Sequence, residues 1–336
     1  MNTNGSTMRA AIVREHGGPE KLEYGELPRR EPGADDVLVR VLACAINHLD
    51  IFVRRGMPGV PLPLPHVPGG DIVGRVEAAG GKAGERLVGQ TVLLDPLVGR
   101  HALGENLWGG LAEFVVAPAA NAIPLADDAG DLGRYAALPI AYGTARRMLL
   151  HRAQLTAGET IAVLGATGGV GVACVQIGAA LGARVIACSS SSEKLARLRA
   201  LGASELVDTR GDWGGEIWKL TGKKGADVVV DYIGRETWPA SIRCTKYAGR
   251  LVTCGATTGF EAVTDLRYVW TRELNILGSD GWRRDDLDRL IDDVRSGALD
   301  PIVHGTFPLS RAREALAELE DRRAFGKVIV VPDGVV

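Results

Sequence analysis

The run Val163-Leu-Gly165-Ala166-Thr167-Gly168-Gly169-Val170-Gly171 places small residues at a spacing that suits phosphate chemistry. In a G-x-G-x-x-G pattern between a strand and a helix, Ala166 holds the first place, Gly168 the second and Gly171 the third. A residue without a side chain at Gly168 lets main chain approach a pyrophosphate. The open N–H groups and positive dipole end of the following helix then hold that anion. Gly171 lets the helix lie close to the strand. About 20 residues on, an NAD site carries Asp or Glu for the ribose hydroxyls. Here Ser189 stands there, followed by Ser190, Ser191, Ser192, Glu193 and Lys194. Hydroxyls and an ammonium accept a 2′-phosphate that an aspartate would repel, so the expected cofactor is NADPH. Ser192 also fits as the N-cap of the next helix, and Glu193 opposes the phosphate if it points inward.

Such a loop needs a strand before it and a helix after it, and the sequence supplies both. Apolar runs at 160–164, 184–188, 205–207, 227–230, 250–254 and 275–277 lack polar alternation, as strands buried on both faces do. Helical stretches at 169–181, 193–201, 212–220 and 236–247 lie between them. The alternation predicts a doubly wound α/β unit with a six-stranded parallel sheet. The first 125 or so residues read differently: short strands at 8–13, 36–43, 71–77, 91–94 and 112–116, broken by Gly and Pro, have the texture of a small barrel. Pro58, Pro61, Pro63, Pro65 and Pro68 mark a loop. Helices at 285–296 and 311–320 and a strand at 327–331 close the chain, and that lone strand is expected to rejoin the β-rich part.

Composition narrows the function classes. The 336 residues carry 39 Lys and Arg against 41 Asp and Glu, a net charge of -2 that gives no general pull on nucleic acid or an anionic membrane. The five cysteines form no CxxC pair, which argues against a disulfide scaffold, a zinc ribbon or an iron–sulfur cluster. No apolar run reaches the roughly 18 residues of a membrane span. With residues 1–7 polar and unlike a signal peptide, the expected compartment is the cytoplasm. Glycine is in excess: 44 are present, where average usage gives roughly 24.

Gly69-Gly-Asp-Ile-Val-Gly74, Ala166-Thr-Gly-Gly-Val-Gly171, Asp231-Tyr-Ile-Gly234, Leu277-Gly-Ser279 and Phe325-Gly-Lys327-Val-Ile occur in consistent order over nearly the whole chain. In this the sequence resembles the medium-chain dehydrogenase/reductase superfamily, in the branch of zinc-independent quinone oxidoreductases. The resemblance implies a GroES-like catalytic domain (residues 1–124 and 280–336) with a Rossmann NADP-binding domain (125–279) inserted into it. It implies cofactor contacts from Asn47, Thr144, Ala166, Thr167, Gly168, Gly169, Val170, Gly171, Ser189, Ser190, Ser191, Lys194, Gly255, Gly278, Ser279, Phe325 and Lys327. It also implies a homodimer that acts on small molecules.

Zinc alcohol dehydrogenases of that family carry ligands at three places that fall here on Asn47, Gly70 and Ile140. None of these is a good metal ligand. The segment 93–113 has none of the four cysteines of the family's structural zinc lobe. The resemblance therefore implies hydride transfer to an acceptor activated by conjugation, a quinone or an enone or enoyl carbonyl, without a metal. The expected catalytic set is Asn47, His48, Asp50 and Tyr142, with His66 a weaker candidate for the proton donor. His48 and Asp50 are expected on a loop, and His101 and Trp108 at a substrate mouth. The tyrosine that enoyl-thioester reductases carry just past an R-x-G turn is missing from Arg54-Arg-Gly56-Met57-Pro58. Two other functions fit the same residues: a biosynthetic tailoring reductase for a bulky substrate, and an NADPH-binding protein without turnover.

Overall fold

A computed structural model describes residues 6–57, 62–126 and 128–334; Pro58 and Pro61 lie outside them. The chain divides into two compact units, Met1–Ile140 with Leu287–Val336, and Ala141–Asp286. The first unit begins with β1 (Thr7–Val13), β2 (Leu22–Pro28), β3 (Asp36–Ile46), β4 (Asp71–Ala79), β5 (Thr91–Leu94), β6 (Leu97–Val98), β7 (His101–Ala102), β8 (Phe114–Pro118) and β9 (Ala122–Pro124). The second holds β10 (Thr160–Leu164), β11 (Arg184–Ser189), β12 (Glu205–Asp208), β13 (Ala226–Val230), β14 (Thr245–Thr253) and β15 (Asn275–Gly278). The chain then returns to the first unit with β16 (Val303–Pro308) and β17 (Lys327–Val331).

In the first unit the main sheet runs β16-β17-β3-β4-β5-β9, and β8 also pairs with β3. β3 is the spine, because β4, β8 and β17 all pair with it. At its start Val37, Leu38, Val39 and Val41 are buried and Arg40 is exposed, and residues 43–46 at its end are all buried. The return strand is antiparallel to β3, with Val328 opposite Ile46 and Val330 opposite Cys44. The expected rejoining is thus seen. That register sets Lys327 beside Asn47, just past the end of β3, while Asp71 opens β4 opposite Ala45.

The second unit is a six-stranded sheet in the order β12-β11-β10-β13-β14-β15, every pair parallel. Buried Ile161, Val163, Ile186, Val229 and Leu251 supply its apolar strands. The order reverses between β10 and β13, and all strand ends point to one edge, where an open α/β sheet gathers a ligand site.

Several elements differ from expectation. The helix predicted over 236–247 is confined to Trp238–Cys244, and β-branched Thr245 already pairs with Ala226. His48–Arg55, expected as loop, is a helix that ends at Gly56, whose φ of 88° suits a residue without Cβ. Ser191 caps the helix Ser192–Leu198 in place of Ser192, its side chain accepting from the Lys194 N–H at 3.4 Å. The division falls later in sequence than the expected boundaries at 124 and 279; at the first, the helix Leu132–Ala136 packs on β3 and β4. No helix among the described residues is long and apolar enough to cross a membrane.

The helix His48–Arg55 is anchored by charge. Arg54 is buried, and its Nη1 and Nη2 donate to Glu320 at 3.0 and 2.8 Å. Arg54 and Arg55 hold the Glu320 carboxyl below its usual range, the Arg54 hydrogen bonds first. Glu320→Ala would leave a guanidinium buried without its partner, and a loss of about 3 kcal/mol is expected from urea denaturation. A loss below about 1 kcal/mol would mean that water reaches Arg54.

Candidate active site

In the first unit the site is assembled at the end of β3. Asn47 is the N-cap of the helix His48–Arg55, and Asp50, three residues on, reaches back to accept the Asn47 N–H at 2.7 Å. The other Asp50 oxygen accepts the Gly69 N–H at 2.8 Å, pinning a glycine at φ 94°. Loss of water around this buried carboxyl pushes its pKa up to about 6, against the pull of those two hydrogen bonds and of Lys327. Asp50 is thereby an organiser of backbone.

Beside it lies a closed polar network. Asn47 Nδ2 donates to Asp71 Oδ2 at 2.8 Å. The Lys327 ammonium donates to Ile46 O at 3.0 Å, Asn47 Oδ1 at 2.5 Å and Asp71 Oδ2 at 2.9 Å. Asp71 Oδ1 accepts the Ile140 N–H at 2.8 Å. Lys327 and Asp71 are both fully buried. An ammonium has three hydrogens to give, and all three are taken. Lys327, expected to meet the cofactor, is committed to its own unit.

The three places compared with metal ligands converge here. A Cβ on Gly70 would lie 2.8 Å from Leu103 O and 2.9 Å from Ile140 Cδ1, so no side chain fits there without movement. Cys44 is buried, with its Sγ 2.6 Å from where a Gly69 Cβ would sit, and burial pushes its thiol pKa far up. Among the described residues no group of three or more His, Cys, Asp or Glu could hold a metal ion.

The remaining expected donors separate. His48 is exposed. Partial loss of water around its ring, then the charges of Lys327, Arg322 and Arg55, keep its pKa below the ordinary value, so it is neutral at pH 7. Tyr142, expected in catalysis, is completely buried and donates to Gln176 Oε1 at 2.8 Å, a packing role. His66 is buried on Gly104 O. Trp108 lies under Arg30, 3.6 Å from guanidinium to ring centre, and donates to Pro65 O. His101 is exposed on β7, and Phe325 is buried.

In the second unit the glycine loop follows β10. Gly165 has φ 64°, and Gly168 N–H donates to Gly165 O at 3.0 Å. A Cβ on Gly171 would lie 2.3 Å from Gly165 O and 2.6 Å from Ala166 Cα. At Gly168 the nearest protein atom would be 3.6 Å away. Gly171 is therefore glycine for the protein's own packing, whereas the space at Gly168 is open. Ala166 is buried, and Gly169 and Val170 open the helix Gly169–Ala180, where helical geometry provides no acceptors for the first N–H groups. Tyr232, in the Asp231-Tyr-Ile-Gly234 motif, has a role that no local spacing signals: it supports the loop from below by donating to Gly165 O at 2.8 Å.

At the end of β11, Ser189 Oγ lies 3.3 Å from Thr167 Oγ1 and accepts the Ser191 N–H. Ser190 is exposed and Lys194 partly so. Gly255 follows β14 and Gly278 ends β15, and a Cβ on either would meet no protein atom closer than 4.0 Å. The adjacent Ser279 hydroxyl is buried and has no hydrogen-bond partner among the described residues. Thr144 is nearly buried after a π-helical turn, Leu138–Gly143. The open cradle at Gly168 and the unsatisfied Ser279 hydroxyl fit a dinucleotide whose phosphates lie on main chain.

A family model described as alcohol dehydrogenase GroES-like domain matches residues 33–127, and one described as zinc-binding dehydrogenase matches residues 169–296. The NADPH-dependent alkenal/one oxidoreductase (chloroplastic) of Arabidopsis thaliana is 33% identical, over 97% of this chain and 80% of its own. This chain belongs to the medium-chain dehydrogenase/reductase superfamily. A Pseudomonas aeruginosa member, quinone oxidoreductase, is 30% identical over 94% of this chain and 97% of its own. A solved structure described as an NAD-dependent alcohol dehydrogenase matches with a TM-score of 0.91 at 39% identity, covering 96% of this chain and 99% of that one. The protein is thus an oxidoreductase of this superfamily, similar to quinone oxidoreductases, and its Rossmann unit is built for a nicotinamide cofactor.

Two of the family's glycines can be told apart by experiment. Gly168→Ala is expected to melt within about 2 °C of the parent, since its backbone is extended and its Cβ would meet Gly165 O only at an ordinary contact distance of 3.6 Å. Its dinucleotide affinity falls at least about tenfold. Gly171→Ala loses both stability and affinity, as calorimetry and cofactor titration would register. Asp50 gives a pH test. Its raised pKa means that the folded state holds the proton more tightly than the unfolded state, so its contribution to stability is greatest below about pH 4 and declines as pH rises towards about 6. The stability difference between parent and Asp50→Asn should shift by roughly 3 kcal/mol over that window. A flat difference would place the carboxyl in water.

Proposed function

We propose that the protein is a zinc-independent, NADPH-dependent reductase of quinones or α,β-unsaturated carbonyl compounds. The observation that carries this reading is the Asn47–Asp71–Lys327 network. It fills with an internally satisfied ion pair the place where a catalytic metal's ligands would converge, and Gly70 leaves no room for an imidazole.

A conjugated acceptor suits such a site. When bound, the nicotinamide supplies the hydride. Hydride addition to the β-carbon of an enone moves the π pair onto the carbonyl oxygen. The protein then has to steady an enolate and admit a proton. Asn47 is held at both ends of its amide, the oxygen by Lys327 and the nitrogen by Asp71, which fixes and polarises the remaining N–H. Of the four expected proton donors, His48 alone has open access to water, and a neutral imidazole can relay a proton to the α-carbon.

The preference for NADPH rests on Ser189, Ser190, Ser191 and Lys194 and on the lack of an acidic residue at the end of β11. The alkenal/one oxidoreductase is named for the same cofactor, whereas the structural neighbour is named for NAD. We infer a cytoplasmic homodimer. β15 is an edge strand, with Ile276 exposed on it and Leu266 and Trp270 exposed nearby, a surface that a second sheet edge could cover.

Dialysis against a chelator should leave quinone-dependent NADPH oxidation unchanged. Turnover lost on dialysis and restored by zinc overturns the metal-free reading. Lys194→Ala is expected to weaken NADPH binding about tenfold and to leave NADH within about twofold. Equal weakening of both undoes the cofactor assignment.

A further inference from the structure

We propose that the second unit carries a separate binding site for a phosphate-rich small anion, on the edge of its sheet opposite the glycine loop. Because all six strands are parallel, their starts lie on one edge and their ends on the other. The glycine loop follows the end of β10. The new site lies before β13 and at the start of β14, roughly 15 Å away at 3.3 Å per strand residue.

The turn between the helix Trp213–Leu220 and β13 reads Thr221-Gly-Lys-Lys-Gly225. Gly222, Lys223 and Gly225 all have positive φ, at 62°, 63° and 87°. Lysine adopts that region only when its surroundings hold it. Lys223 N–H donates to Trp218 O at 2.7 Å, and Gly225 N–H to Thr221 Oγ1 at 2.9 Å. Gly225 presses on β14, where its Cβ would lie 2.6 Å from Cys244 O and 2.8 Å from Lys246 N. The turn therefore brings Lys223 and Lys224 alongside Lys246. From the other side Arg272 enters, 4.9 Å above the Trp218 ring and 5.0 Å from that of Tyr268, and it donates to Arg243 O and Thr245 O.

Together Trp218, Lys223, Lys224, Lys246, Tyr247 and Arg272 line a hollow of about 360 Å³. Two carboxylates face the same region. Asp227 is paired with Lys246, and Glu273 accepts from the Tyr247 hydroxyl. Among the described residues neither Lys223 nor Lys224 has an ion-pair partner. Four cations thus converge on a hollow faced by two carboxylates, with Lys246 already paired to Asp227, and the Arg272 head is fixed in place before any ligand arrives. Such an arrangement favours an anion with several charged oxygens, which lysine ammoniums meet as point charges. Tyr247, 57% exposed, adds a ring face on which a nucleotide base could stack.

The test is calorimetric titration of the full-length protein, first saturated with NADPH, using inorganic pyrophosphate and ADP separately. Either probe is expected to bind saturably, and Lys223→Ala/Lys224→Ala should weaken it at least about tenfold with an unchanged melting temperature and unchanged NADPH affinity. Tighter binding of ADP that Tyr247→Ala abolishes supports the site and makes the ligand a nucleotide. Equal affinities support it with phosphate alone as the recognised group. The inference is overturned by the same isotherm in parent and double variant, by loss of NADPH affinity in the double variant, or by no saturable binding up to ~10 mM. Because NADPH saturation is measured first, failure of the cofactor reading is seen independently.

Discussion

The buried pair between Asp71 and Lys327 is the interaction on which the first unit's site depends. Moving both charges out of water costs several kcal/mol per ion, and attraction alone repays that only when the remaining hydrogen-bonding capacity is filled. Here it is filled: the ammonium has three acceptors, and the carboxylate has donors on both oxygens. The partners are 256 residues apart. They meet because β4 and β17 flank the same end of β3. The pair therefore ties the return of the chain to the first β-rich segment, and Asn47 is oriented only when both have folded.

The two units prepare their chemistry by opposite means. In the first, side chains converge and neutralise one another. In the second, the glycine loop works by leaving side chains out, at Gly171 so that the helix can seat against Gly165 and at Gly168 so that a ligand can approach. The first strategy depends on strand register and the second on local conformation. A slip of one residue between β3 and β17 would turn Lys327 to the other face of the sheet. The loop is instead held by its immediate neighbours, Tyr232 beneath and β10 before it.

That difference governs what the sequence disclosed. The glycine loop was legible because its determinants are contiguous, and the six apolar runs around it are strands in the expected places. The network was only half legible. Asn47, Gly70 and Ile140 stand out in the sequence as poor metal ligands, and Asp71 and Lys327 lie in the Gly69–Gly74 and Phe325–Ile329 motifs. Yet nothing in the local spacing says that a lysine at 327 reaches an aspartate at 71, because that follows from long-range pairing. The helix His48–Arg55 is hidden for a related reason: its clearest start signal, Asp50 reaching back to Asn47, is also what a loop offers. Tyr142 was misjudged because an aromatic beside a functional segment reads alike whether packed or exposed.

A lysine in this place is not a substitute metal. A bare Lewis acid keeps a coordination position for the substrate oxygen, whereas the Lys327 ammonium has no hydrogen left for one. Apart from its field at His48 and Asp50, its charge acts through Asn47, as polarisation of an amide. That is a weak lever on an isolated carbonyl or alcohol, whose reacting oxygen must carry nearly a full charge. It is a better match for a conjugated acceptor, in which the charge of the transition state is spread over several atoms and orientation contributes more than point-charge stabilisation. On the proposed function, the electrostatics of this buried pair thus support a conjugated acceptor, independently of any relative's name.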